Sequence, residues 1–146
     1  MELKSKYDEL MELTNKLFLY TDSRQWQKLQ SQVFTRQVMF DMSSMGTGAP
    51  KKLPAKEICE RWSQGFEGID QVHHQSGNFI IDFPNDGEAR IFCYATSTHF
   101  RQEATQGKTR QYVGSYELHA SFTDVGWRLN SFRYNLKFAE GNTELK

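Results

Sequence analysis

Hydrophobic patterning changes period once along this chain, near Gln71. Before that point apolar residues recur every three or four positions. After it, long stretches of alternating character are separated by tight-turn signals. Strands are expected over residues 72–83, 89–101, 111–122 and 127–136. Between them lie Pro84-Asn85-Asp86-Gly87, a polar turn around Gln106-Gly107-Lys108, and Thr123-Asp124-Val125-Gly126. Helices followed by an antiparallel meander define an α+β domain, with the helices packed on one face of a sheet.

In the helical part, Leu3, Tyr7, Leu10, Leu13, Leu17 and Phe18 give an amphipathic first helix ending near Tyr20 and Thr21. Asp22 and Ser23 have the character of N-terminal caps for a second helix striped by Trp26, Leu29, Val33 and Phe34. Val38-Met39-Phe40 reads as a short strand, and residues 43–53 as a mobile loop rich in Gly, Ser and Lys. Pro54 suits the first turn of a third helix carried by Ile58, Trp62 and Phe66, with Gly65 and Gly68 marking its end. No repeat or composition break divides the chain, so residues 1–146 are read as one domain.

Composition removes several function classes. Lys plus Arg equals Asp plus Glu at 18 each, so no net field points to nucleic acid or an anionic membrane surface. No apolar run is long enough to span a bilayer, and the charged N-terminus lacks the apolar core of a signal peptide. Cys59 and Cys93 have neither metal-site nor redox spacing, and a reduced, cytoplasmic protein is expected. Eleven Phe, six Tyr and three Trp can fill a core, and can also line an apolar pocket or cover an oligomer interface.

All four histidines, His73, His74, His99 and His119, fall in the strand region. Side chains alternate between faces, so only some of them can look inward. His99 shares parity with Ile91, Cys93, Ala95 and Ser97, a small-residue face suited to lining a cavity. His73 faces opposite to His74. His119 shares parity with Ser115 and Glu117 and is left undecided.

Several short motifs together resemble a known family. They are Asp-Ser-x-x-Trp-x-x-Leu (Asp22 to Leu29), a short strand ending in Asp41, His-x-x-Gly-Asn (His74 to Asn78), and Gly-Trp-Arg-Leu (Gly126 to Leu129). The chain resembles the SnoaL-like proteins of the nuclear-transport-factor-2-like superfamily, and within them the scytalone dehydratase-like branch. That resemblance implies a strongly curved antiparallel sheet wrapped on the helices as a cone-shaped α+β barrel with an internal pocket, often as a dimer. It also implies an aspartate and two histidines facing the pocket, matched here by Asp22, His74 and His99. Ser115 falls on the branch's serine, and Tyr20, Asn78 and Glu117 are further substrate-binding candidates. Glu117 stands where an asparagine is expected, while Thr21 and Met42 replace tyrosines, which makes a scytalone dehydratase proper an unfavoured reading.

The chemistry of that trio is proton transfer. A neutral imidazole can take a proton from carbon next to a carbonyl, while a carboxylate on its other nitrogen fixes the tautomer. Asp22 and His74 would form that pair, and His99 could polarise an oxygen or protonate a leaving hydroxyl. The expected function is a lyase or isomerase, dehydratase-like, acting on a hydrophobic hydroxy-carbonyl compound without cofactor or metal. The alternative is a non-catalytic pocket for a small apolar ligand, or a dimerisation domain. A homodimer through the outer face of the sheet is compatible with each.

Overall fold

The computed structural model describes residues 4–146, so the Leu3 end of the first helical stripe lies outside the described residues. Helix α1 spans Lys6–Asp22. Ser5 accepts from the Asp8 N–H while the Asp8 carboxylate accepts from the Ser5 N–H, closing a capping box. Leu10, Leu13, Thr14, Leu17, Phe18 and Thr21 form its buried stripe. Two of these are polar, but Thr14 and Thr21 donate their hydroxyls to the Leu10 and Leu17 carbonyls one turn back.

Asp22 is the last residue of α1 rather than a cap of the next helix. Helix α2, Trp26–Lys28, has Gln25 at its N-cap position with no side-chain cap, and continues into a π-turn over Leu29–Val33. The Asp22 carboxylate is occupied elsewhere, by His74, and the corner turns instead on Arg24 in the left-handed region. Helix α3 spans Ala55–Gly65, with Pro54 at its N-cap and Ala55, Ile58 and Cys59 buried.

Strands β1 (Phe34–Asp41), β2 (Lys51–Pro54), β3 (Gln71–Asn85), β4 (Glu88–Phe100), β5 (Thr109–Thr123) and β6 (Gly126–Gly141) form one sheet in the order β2-β1-β6-β5-β4-β3. The meander β3 to β6 is antiparallel, but β1 joins β6 in parallel, so the sheet is mixed and open rather than a closed barrel. Part of the expected loop at 43–53 is strand β2, paired with β1, and β6 runs five residues past the expected end, from 136 to 141. The Asp86-Gly87 pair makes the β3–β4 hairpin, since Asn85 and Glu88 are directly opposite.

Bulges set which residues look inward. Register slips between Gly77 and Ile80, where Asn78 holds φ 57°. Val72 and His74 are inward before that bulge, whereas Phe79 and Ile81 pack on the core after it. Asparagine is among the residues that tolerate this backbone region best. A second slip, between His119 and Ala120, leaves Asn130 unpaired on β6 and brings Phe132 and Tyr134 inward after Trp127 and Leu129. The core lies between helices and sheet, and Cys59 and Cys93 are both buried in it as free thiols. Among the described residues, no helix is long and apolar enough to cross a membrane.

Candidate active site

Between α1, α3 and the inner face of the sheet lies a cavity of about 120 Å³. Its wall is mainly apolar and aromatic, with Phe18, Trp62, Phe66 and Phe132 prominent. An apolar cavity of roughly 150 Å³ holds a benzene ring, so this space suits one small ring rather than a fused ring system. His74, Ser97, His99, Tyr112, Tyr116 and Tyr134 are the polar residues of that wall, with Thr21.

The first polar cluster joins the end of α1 to β3. His74 donates its backbone N–H to Asp22 Oδ2 at 2.9 Å, and its Nδ1 lies 2.6 Å from Asp22 Oδ1. A carboxylate accepts, so Nδ1 carries the proton and Nε2 is the ring's free nitrogen. Phe18, one helical turn before Asp22, stacks on the imidazole with ring centres 5.2 Å apart. The Nδ1 bond and the stacking contact thus fix the ring of His74 against rotation, while the backbone bond holds the Asp22 carboxylate in place. Both side chains are shielded, with 9% of His74 and 16% of Asp22 exposed.

The second cluster lies on β4. Ser97 sits directly opposite His74 in the β3–β4 register, and His99 follows on the same face. His99 Nε2 is 3.1 Å from Ser97 Oγ, and Arg110 on β5 donates its Nε–H to His99 Nδ1 at 3.0 Å. Burial first, and the Arg110 charge second, push the His99 imidazole down from 6.5 to about 4. His99 is therefore neutral at pH 7.

The remaining candidates are elsewhere. Ser115 and Glu117 lie on the opposite face of β5, linked through Asn135, whose side-chain amide reaches both. Tyr116, between them, is the residue that lines the cavity. The expected placement of Ser115 and Glu117 is thus displaced by one residue, and in a strand one residue reverses the face. Tyr20 is half-buried, donates to Gln32 and does not line the cavity. Asn78 forms the β3 bulge and borders a separate surface groove. His73 is exposed. His119 is directed away from the cavity, with Nδ1 2.8 Å from Asn130 Oδ1.

Positions 21 and 42, where the resemblance implies tyrosines, do line the cavity, as a threonine and a methionine. The Thr21 hydroxyl is committed to the Leu17 carbonyl. Tyrosines line the cavity instead from the sheet, as Tyr112, Tyr116 and the ring of Tyr134, whose hydroxyl is buried beside Gly114. Burial raises the Tyr116 phenol well above its usual range and the Tyr134 phenol to about 12, so both stay protonated. The Tyr134 hydroxyl is buried and makes no hydrogen bond among the described residues. Parity with His99 already places Ser97 on the cavity-lining face, and parity with Leu118 and Ala120 marks Tyr112 and Tyr116 in the same way. Arg110 carried no local signal, because its partner is set by cross-strand register alone. Among the described residues, no group of three or more His, Cys, Asp or Glu side chains is placed to hold a metal ion.

The family described as SnoaL-like domain matches residues 4–133. No curated protein matches the chain in sequence. The structure of the Kfla4162 protein from Kribbella flavida is similar, with a TM-score of 0.87 at 23% identity, over 94% of this chain and 93% of that one. A protein provisionally described as a scytalone dehydratase, from Novosphingobium aromaticivorans, superposes with a TM-score of 0.77 at 11% identity, over 90% and 83% of the two chains. The hexachlorocyclohexane dehydrochlorinase LinA-type3 from Novosphingobium barchaimii gives 0.74 at 12% identity, over 90% and 86%.

Proposed function

The chain belongs to the SnoaL-like domain family, and from the cavity between its helices and sheet we propose that it is a cofactor-independent lyase or isomerase. Its substrate is a small, single-ring hydroxy-carbonyl compound. The observation that carries this reading is the Asp22–His74 pair, with one imidazole nitrogen bound to a carboxylate and the other free at the cavity. The folds shared with a dehydrochlorinase and with the protein described as a scytalone dehydratase support elimination chemistry as the general class.

His74 Nε2 removes a proton from the carbon beside the substrate carbonyl, and the electron pair moves onto the carbonyl oxygen as an enolate. Asp22 holds the ring and supports the imidazolium as it forms. A neutral donor on the facing strand β4, backed by the neutral His99, stabilises the developing oxyanion in a mainly apolar site. The proton then returns to another carbon, completing an isomerisation, or to a departing β-hydroxyl, completing a dehydration.

The test is turnover of cyclic β-hydroxyketones, followed by the ultraviolet absorbance of the conjugated enone product. His74→Ala should abolish turnover while its circular dichroism stays that of the wild type. Retained turnover in that variant would sink the proposal. Tight binding without turnover in the wild type would identify the domain as a binding module.

A further inference from the structure

The two histidines at the cavity are held in opposite tautomers, and the reason for the second is Arg110. A guanidinium has five N–H donors and no acceptor, so its 3.0 Å bond to His99 Nδ1 requires a lone pair on that nitrogen. A neutral His99 then carries its proton on Nε2, which is directed at Ser97 Oγ 3.1 Å away. Ser97 Oγ accepts there, so its own hydroxyl proton is available to donate elsewhere. Ser97 lines the cavity and stands directly across from His74.

We propose that Arg110, His99 and Ser97 form a one-way chain of hydrogen-bond donors, ending in a Ser97 hydroxyl that binds the carbonyl oxygen of the substrate. Arg110 is the positioning residue and Ser97 the substrate-contacting one. The substrate-binding part rests on the function proposed above, whereas the tautomer does not. The site becomes polar in a definite sense, with an acceptor nitrogen on β3 and a donor hydroxyl on β4 facing one small cavity.

The surroundings of His99 favour the same state. Arg110 on β5 also donates to the Thr143 carbonyl at 3.0 Å and sits over the Tyr112 ring, so it is held at both ends. The Phe66 ring meets His99 edge-on at 5.5 Å, and Tyr112 covers it at 5.5 Å. Of the charged and titratable groups that act on it, Arg110 and His74 oppose an imidazolium, while Asp22 favours one. Burial outweighs the Asp22 contribution, which keeps His99 neutral near pH 7.

Two measurements separate the parts. Long-range ¹H–¹⁵N spectra of the histidine-labelled protein at pH 7 should give His99 a protonated Nε2 and a bare Nδ1. His74 should give the reverse. A protonated Nδ1 on His99 in the wild type would overturn the chain, and this holds even where an Arg110 variant fails to fold. In a folded Arg110→Met protein the His99 pattern should shift towards a mixture of tautomers, and an unchanged pattern would overturn the role of Arg110.

For Ser97, the probes are cyclohexanone and methylenecyclohexane, rings of matching shape of which only the first has an oxygen. Ser97→Ala should weaken cyclohexanone about tenfold, the worth of one good hydrogen bond, and leave methylenecyclohexane unchanged. Equal effects on both would overturn the oxygen-binding role. Binding of neither ring by the wild type would overturn the ligand-pocket reading itself, with the nitrogen spectra still deciding the tautomer.

Discussion

Asp22 ties a helix terminus to an imidazole, and His74 cannot keep its orientation without it. Asp22→Asn replaces one acceptor oxygen with an amide donor, which cannot receive the Nδ1 proton in the same geometry. Turnover should fall by about 10²–10⁴, the range typical of lost acid–base assistance. KM should move much less, and steady-state kinetics would check the split. His99 governs a different observable. Its imidazole is held near 4 in the fold, first by burial and then by Arg110, against an ordinary value of 6.5. Between those values the unfolded chain binds the proton and the folded one does not, so stability falls as pH drops from 6.5 towards 4. The loss is on the order of 3 kcal/mol across that window. Urea denaturation of wild type and His99→Gln at pH 7 and 4.5 would test this. The variant should lose most of the slope, and an equal slope in both proteins would refute the assignment.

At the scale of the element, close packing and register decide what the strands can do. Gly114 on β5 lies against the Asn135 carbonyl, and an added Cβ would come within 2.7 Å of the Tyr134 hydroxyl. The carbonyl belongs to backbone and cannot swing aside. Gly114→Ala should therefore cost roughly 1–3 kcal/mol, read as a lowered Tm, and should displace the Tyr134 ring from the cavity wall. Register also explains what was legible. On β4 the inward set Ile91, Cys93, Ala95, Ser97 and His99 follows from simple alternation, and the burial pattern repeats it. On β5 the apolar positions Tyr116, Leu118 and Ala120 mark the buried face equally plainly. The family-derived placement of Ser115 ran against that alternation, and alternation is what the structure follows. The bulges at Asn78 and Asn130 were not legible, since an extra residue in one strand depends on how its partner is paired. Asn78→Val should cost about 1–2 kcal/mol by forcing a β-branched residue into the left-handed region, whereas Asn78→Gly should be near neutral.

For the molecule as a whole, the meander and its helical cover were readable because each is signalled locally, by period and by turn residues. The parallel β1–β6 pairing was not, since nothing within residues 34–41 encodes a partner some 90 positions away. On the outer face, Met39, Ile80 and Tyr94 are between 42% and 67% exposed. We propose that a second copy of the chain covers this face. Sedimentation should give twice the monomer mass of 17.1 kDa, and Ile80→Lys should shift it towards monomer. The Asp22–His74 bond links residues 52 apart, between the first helix and the first strand of the meander. It forms only once that helix has docked on the sheet, so turnover works as a clock for folding. In refolding from urea, far-ultraviolet ellipticity should recover first and catalytic competence later, with a delay that measures the docking step.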